Sequence, residues 1–205
     1  FAGDIPAIGL FSLVEMQILI WRVEAMAKGL DRSNPWQADQ ARTLDQTTVA
    51  VWLDRHCRSR KTRGMIKIAV NAVFCCEPEA LSMLQFLLYL RSADGLMPLV
   101  TAAGGAQDRR ITGGAQAIAS GMQRELINHG AELRLACPVR AIEQSDDRVA
   151  VITDSEQLQS KRVVVALSPA DSQRIHFSVA LPTRRRQLMQ RMPTGSVIKC
   201  IPVSY

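Results

Sequence analysis

No uncharged apolar run of about 18 residues occurs in this sequence, so a membrane-crossing helix is not encoded. The longest apolar run, residues 81–90, is interrupted by Ser82 and Gln85. The chain opens on Phe1 without a Met, a basic leader or a small-residue cleavage site, and the expectation is an internal piece of a longer polypeptide. The five cysteines (Cys57, Cys75, Cys76, Cys137 and Cys200) show no Cys-x-x-Cys spacing, and the adjacent Cys75 and Cys76 do not readily bridge each other. Reduced, structural thiols are expected, which favours an intracellular, cytoplasmic setting. His56, His129 and His176 are scattered over unrelated segments without a second ligand at metal spacing, so no metal site is expected. Gly-x-Ser-x-Gly, catalytic-cysteine and Gly-x-Gly-x-x-Gly signatures, internal repeats and low-complexity tracts are missing as well.

With 47% hydrophobic and 21% charged residues, the 205-residue chain has the composition of a globular protein that buries one sizeable core or two small ones. The net charge of +6 is densest at Arg184, Arg185, Arg186 and Arg191. Those arginines fall in an expected short helix, residues 182–192, whose apolar side is Leu188, Met189 and Met192, so they form a solvated face. Without aromatic interleaving or a nucleic-acid motif, no nucleic-acid partner is expected.

The first half reads as helices. Ser12 and Glu15 have capping-box spacing at the head of an apolar-periodic stretch that Gly29 can end. Residues 31–39 read as a loop around Asn34-Pro35, and helices are expected over 47–57, 62–74 and from Pro78 onward, the last apolar nearly all round. Residues 95–105, rich in Gly, Ala and Pro, read as extended or loop. After Gly113-Gly114 an amphipathic helix is expected over 116–128, closed by Gly130. Strands are expected over 132–135, 139–144, 148–153 and 162–167, with Ser145-Asp146-Asp147 as a hairpin turn. The β-branched run from Val163 to Leu167 reads as a strand buried on both faces. The fold class is α/β (α+β) in two subregions divided near Ile111. Gly113-Gly114 before a helix could cradle a phosphate, but alone the pair fits a plain turn.

The stretch Gly104-Gly105-Ala106-Gln107-Asp108-Arg109-Arg110-Ile111-Thr112-Gly113-Gly114 resembles a segment of the flavin-containing monoamine oxidase family, with a Gly-rich turn, a Gln-acid-basic triplet and a Gly-Gly helix start in that order. Further matches run in family order: Trp21-Arg22 with Asn34-Pro35-Trp36, residues 77–89, Cys137-Pro138-Val139, Ala166-Leu167-Ser168-Pro169, Ile175-His176-Phe177 and Gly195-Ser196-Val197-Ile198-Lys199-Cys200. The resemblance implies interleaved domains: residues 1–111 substrate-binding, 112–188 FAD-binding and 189–205 substrate-binding again. It implies a catalytic position for Lys199, which matches the lysine holding a water near flavin N5. Read alone, Lys199 is either an ammonium with buried partners or a strand-edge lysine whose head reaches solvent. Gln107 matches the glutamine beside the amine pocket and otherwise reads as a loop-capping amide. Tyr89, Val73 and Val100 match pocket or gate positions, where ordinary core packing is the alternative. Val139 and Ala166 match cofactor-side positions contacted through backbone. The family's pyrophosphate-seating unit is expected before Phe1, and its flavin-facing aromatic pair after Tyr205.

The resemblance implies FAD as cofactor, and an amine and molecular oxygen as substrates, with oxidative deamination to aldehyde, ammonia and hydrogen peroxide by the intact parent. The polypeptide as given is expected neither to hold FAD tightly nor to turn over amine. A homodimer is compatible with it. An amino-acid oxidase would want an arginine clamp for the carboxylate and a polyamine oxidase acidic residues along the pocket. A non-catalytic interaction module, or truncated pseudo-oxidase, is the reading from another class.

Overall fold

The computed structural model describes residues 9–101, 104–105 and 108–198. The chain mixes helices with a sheet and divides into two compact units: Phe1–Ile111 with Gly195–Tyr205, and Thr112–Thr194. Met189 is buried within the second unit, where its carbonyl accepts from Gln173 Nε2 at 2.5 Å.

The first unit is helical: α1 (Leu10–Lys28), α2 (Ala41–Gln46), α3 (Val49–His56), α4 (Arg60–Phe74), α5 (Met83–Ser92) and the single turn α6 (Met97–Val100). One-turn 3-10 helices cover Pro35–Gln37 and Pro78–Ala80. Hydroxyls start three of these helices. Thr48 Oγ1 accepts from Val51 N, Ser59 Oγ from Thr62 N and Ser82 Oγ from Gln85 N, each at 3.2 Å. The proline turn at Pro78 is therefore separate from α5, which begins at its own serine cap. Backbone bonds Val49 N to Leu81 O (2.9 Å) and Met83 N to Thr47 O (2.8 Å) then fix the starts of α3 and α5 side by side. Met83, Leu87 and Leu90 of α5 are fully buried against Leu19 and Val23 of α1, Val49 and Leu53 of α3 and Val70 of α4. Each such side chain contributes about 1.5–3 kcal/mol on leaving water.

The capping-box reading of Ser12 and Glu15 is corrected. Both lie inside α1, whose N-cap is Gly9. Their spacing serves tertiary contacts instead: the Ser12 and Ser59 hydroxyls pair at 2.8 Å, and the Glu15 carboxylate accepts from Arg58 N (2.6 Å), Ser59 N (2.9 Å) and the Cys57 thiol (3.3 Å). Residues 41–46, to which the sequence reading assigned no element, form α2. Residues 97–100, expected extended, form α6, with Pro98 in the first turn where no amide is needed.

The second unit holds α7 (Gln116–Asn128), β1 (Val139–Gln144), β2 (Val149–Thr153), β3 (Gln157–Ser160), α8 (Pro169–Ser172), β4 (His176–Phe177) and α9 (Thr183–Arg191). The sheet runs β3-β2-β1-β4, antiparallel at β1–β2 and β2–β3 and parallel at β1–β4. Ser145 N bonds Arg148 O at 2.9 Å, closing the β1–β2 hairpin at the expected turn. Two expected strands do not form. At 132–135 the chain instead heads into a left-handed turn at Ala136 (φ 54°), with Arg134 engaging Glu132 and Glu156. Residues 162–167 lie outside the four-stranded order, and Val164 is 88% exposed. A β-branched run becomes a strand only when a neighbour takes up its backbone groups, and β1 is already flanked on both sides. In α9 the arginines are exposed as expected, but of the proposed apolar side only Met189 is buried.

Burial pushes the Glu15 carboxyl up, but the backbone N–H groups of Arg58 and Ser59 outweigh it, so its pKa lies below the usual glutamate range. This contribution is complete above the ordinary glutamate value and is lost as the pH falls from there through the depressed folded value. Glu15→Ala leaves two backbone N–H groups without their acceptor and is expected to cost about 1–3 kcal/mol in urea unfolding at neutral pH. The deficit relative to the parent should shrink as the titration is carried into acid.

Candidate functional site

The helices of the first unit enclose a cavity of about 450 Å³, within the usual range of small-molecule sites. Its walls come from α1, α3, α4, α5 and α6, and every lining side chain is apolar, with the Trp52 indole carrying the one N–H donor among them. The wall follows from sequence periodicity: α4 presents Ile66, Ala69, Val70 and Val73 inward at helical spacing. Phe74, at the last position of α4, packs against Phe86 (ring centroids 5.7 Å apart) and Tyr89 (4.8 Å). Trp52 is stacked on His56, whose Nδ1 pairs with the Trp52 carbonyl at 2.7 Å. That contact accounts for His56 without a metal.

Val73 and Val100 both line this cavity, so two residues far apart in sequence meet at one site. Tyr89 does not line it; its ring supports Phe74 from behind and is 41% exposed. Gln107 and Lys199 lie outside the described residues. Trp52, Phe74 and Phe86 are wall residues that the sequence reading did not single out; the signal was a set of large apolar side chains at matching helical phase on α3, α4 and α5.

Among the described residues, no charged side chain lines the cavity. An ammonium entering it would lose hydration without gaining a partner from the wall, whereas a neutral amine loses far less. The thiols near the unit's core are not poised as nucleophiles: burial, with help from the Glu15 carboxylate, pushes the Cys57 thiol up, and burial pushes up Cys76. Outside the cavity, Lys67 Nζ and Asn71 Nδ2 both reach the Glu77 carboxylate, at 2.8 and 3.3 Å, bracing the end of α4. The Lys67 ammonium holds the Glu77 carboxyl below its usual range.

The segment 195–198 passes over that same end of α4. Cys75 caps the helix in the left-handed region (φ 55°), and a Cβ added at Gly195 would stand 2.8 Å from Cys75 Cβ. Only glycine allows this approach.

In the second unit, Val139 opens β1 at an irregularity of register with β2 and is half-buried, while Ala166 lies exposed in the unpaired segment. Gly113 and Gly114 have φ of 82° and 84°, the left-handed region that glycine favours, and form a turn ahead of α7. Among the described residues no group of three or more His, Cys, Asp or Glu is arranged to hold a metal, and no helix is long and apolar enough to cross a membrane.

The flavin containing amine oxidoreductase family matches residues 9–202. The chain belongs to that family. It is 36% identical over 184 residues to a flavin-containing amine oxidase of Danio rerio, covering 89% of this chain and 35% of that protein. It is 34% identical over 199 residues to a putative flavin-containing monoamine oxidase of Mycobacterium tuberculosis, covering 97% of this chain and 43% of that protein. Among solved structures it is similar to wild-type putrescine oxidase bound to putrescine (TM-score 0.80, 26% identity, 93% of this chain and 42% of that one). Cyclohexylamine oxidase from Brevibacterium oxydans is also similar (TM-score 0.76, 25% identity, 91% and 40%). The chain spans less than half the length of these relatives.

The Gly195 contact and an unobstructed helical glycine give opposite expectations for the same substitution. Gly195→Ala should destabilise the protein by about 1–3 kcal/mol through overpacking against Cys75. Gly64→Ala, inside α4 with nothing within 4 Å of the added Cβ, should stabilise it by about 0.5–1 kcal/mol. Thermal unfolding of both variants checks the pair.

Proposed function

We propose that the protein containing this chain is an FAD-dependent amine oxidase, converting an amine, oxygen and water to an aldehyde, ammonia and hydrogen peroxide. The observation that carries this reading is the wholly apolar cavity of about 450 Å³ in a chain of the flavin amine oxidoreductase family. In this reading the first unit with the 195–205 segment binds the amine, and the second unit contributes to the FAD-binding domain.

The cavity takes the hydrocarbon part of the amine, removes water from around its nitrogen and so favours the neutral form, which alone carries the lone pair needed when hydride leaves the α-carbon. Val73 and Val100, with the aromatic rings of Trp52, Phe74 and Phe86, set the shape of the space. Gln107 orients the amine through an uncharged amide that adds no competing charge. Lys199 holds a water by hydrogen bonding near the reacting centre. Bound FAD supplies the two-electron acceptor and returns the electrons to oxygen. Val139 and Ala166 contact the cofactor through backbone, which is why their side chains need only be small or apolar.

The absence of any charged side chain from the cavity wall favours a monoamine over an amino acid or a polyamine, whose carboxylate or second cation would be stranded there.

In the full-length protein, anaerobic addition of apolar primary amines is expected to bleach the flavin absorbance; a bound flavin that no amine bleaches would remove the assignment. Val73→Phe should lower kcat/KM for the bulkier of two amines about tenfold relative to the smaller, the scale of a steric change in an apolar pocket. Lys199→Met should slow reoxidation of the flavin by oxygen while leaving FAD bound. Stopped-flow traces matching the parent would take Lys199 out of the mechanism.

A further inference from the structure

α1 reaches the turn between α5 and α6 through a side chain that does not line the cavity. Glu24 is half-buried on α1, next to the cavity-lining Val23, and its Oε1 accepts from Leu96 N at 3.4 Å. Leu96 is the residue on which α6 is built: its carbonyl accepts from Leu99 N at 3.0 Å and Val100 N at 3.3 Å. Just before it, Gly95 has φ 128°, and a Cβ there would lie 3.3 Å from Glu24 Oε1. Arg32, beyond the end of α1, pairs with Asp94 of the same turn, and Arg91 Nε donates to Leu30 O at 3.4 Å. Arg32 and Asp94 are well exposed, so their pairing holds the turn weakly.

α6 forms the rim of the cavity. Leu96, Met97, Leu99 and Val100 all line it, yet Met97 is 57% and Val100 46% exposed, so these two side chains touch the cavity and the exterior at once. The other lining residues are buried or half-buried. Whatever fixes α6 therefore fixes the opening through which an apolar molecule would pass. The Glu24 bond does so from another helix.

We propose that Glu24 is a positioning residue that holds α6 at the rim of the cavity and thereby sets which amines enter, an inference that rests on the amine-oxidase reading for its substrate and on geometry alone for its hold. Glu24 touches no reacting atom in this account. Its effect passes through the Leu96 amide.

The test uses the full-length protein with two readouts: hydrogen exchange at the Leu99, Val100 and Thr101 amides, and steady-state kinetics with benzylamine and a bulkier diphenylalkylamine. Glu24→Ala is expected to speed exchange at those amides about fivefold, the effect of losing one ordinary hydrogen bond. It should also shift KM for the bulky amine relative to benzylamine severalfold, while kcat for benzylamine stays at the parental value. Glu24→Gln keeps a carbonyl oxygen in the same place and should restore both readouts. Unchanged exchange in Glu24→Ala, a uniform fall of kcat for both amines, or a Gln variant that behaves like the Ala variant would each overturn the proposal. If the parent oxidises neither amine, the substrate reading fails, and the exchange comparison still decides whether Glu24 holds α6.

Discussion

The apolar core of the first unit, Met83, Leu87 and Leu90 packed against α1, α3 and α4, leaves a cavity of about 450 Å³ in its midst, and the shape of that space depends on how the surrounding helices are held. Polar contacts at the helix ends add to the apolar packing. Hydroxyl caps start α3, α4 and α5; the Thr48–Ser82 bridge locks two helix starts together; and Glu15 ties α1 to the approach of α4. Each contact is modest, but together they fix the helix ends around the buried core. The buried side chains Met83, Leu87 and Leu90 fill one flank of α5, and the cavity occupies the space the remaining helices leave.

That arrangement divides the work chemically. Among the described residues the cavity wall of the first unit carries no charge, acid or base, an environment in which a neutral ligand loses far less hydration than an ion would. In the second unit, Val139 is half-buried at the head of β1 and Ala166 is exposed outside the sheet. Membership of the flavin amine oxidoreductase family joins these two properties into one account, in which the cofactor carries the redox step and the chain supplies binding and exclusion of water.

Local chemistry made much of the helical unit legible. Residues 47–57 and 62–74 read as helices, and the structure forms α3 and α4 there, started by the Thr48 and Ser59 hydroxyls, which the sequence reading had not singled out. The hairpin at 145–148 and the helix at 116–128 were equally local. What failed depended on partners distant in sequence. Ser12 and Glu15 have the spacing of a capping box, yet their acceptors serve residues 57–59, which no local pattern announces. The β-branched residues 163–165 read as a buried strand, but a strand needs a neighbour with free backbone groups, and none is paired with them. At the site, Val73 and Val100 were found through family resemblance, whereas Trp52, Phe74 and Phe86 only become wall residues once three helices converge.

The most direct test of the account is a crystal structure of the full-length protein with a phenylalkylamine bound. The ring is expected between α1, α4, α5 and α6, in contact with Val73, Phe74 and Val100, with no cationic or anionic side chain of this chain's cavity wall beside it. A ring seated elsewhere, with the space between those helices closed by their own side chains, would contradict the claim that this apolar cavity is where the amine binds.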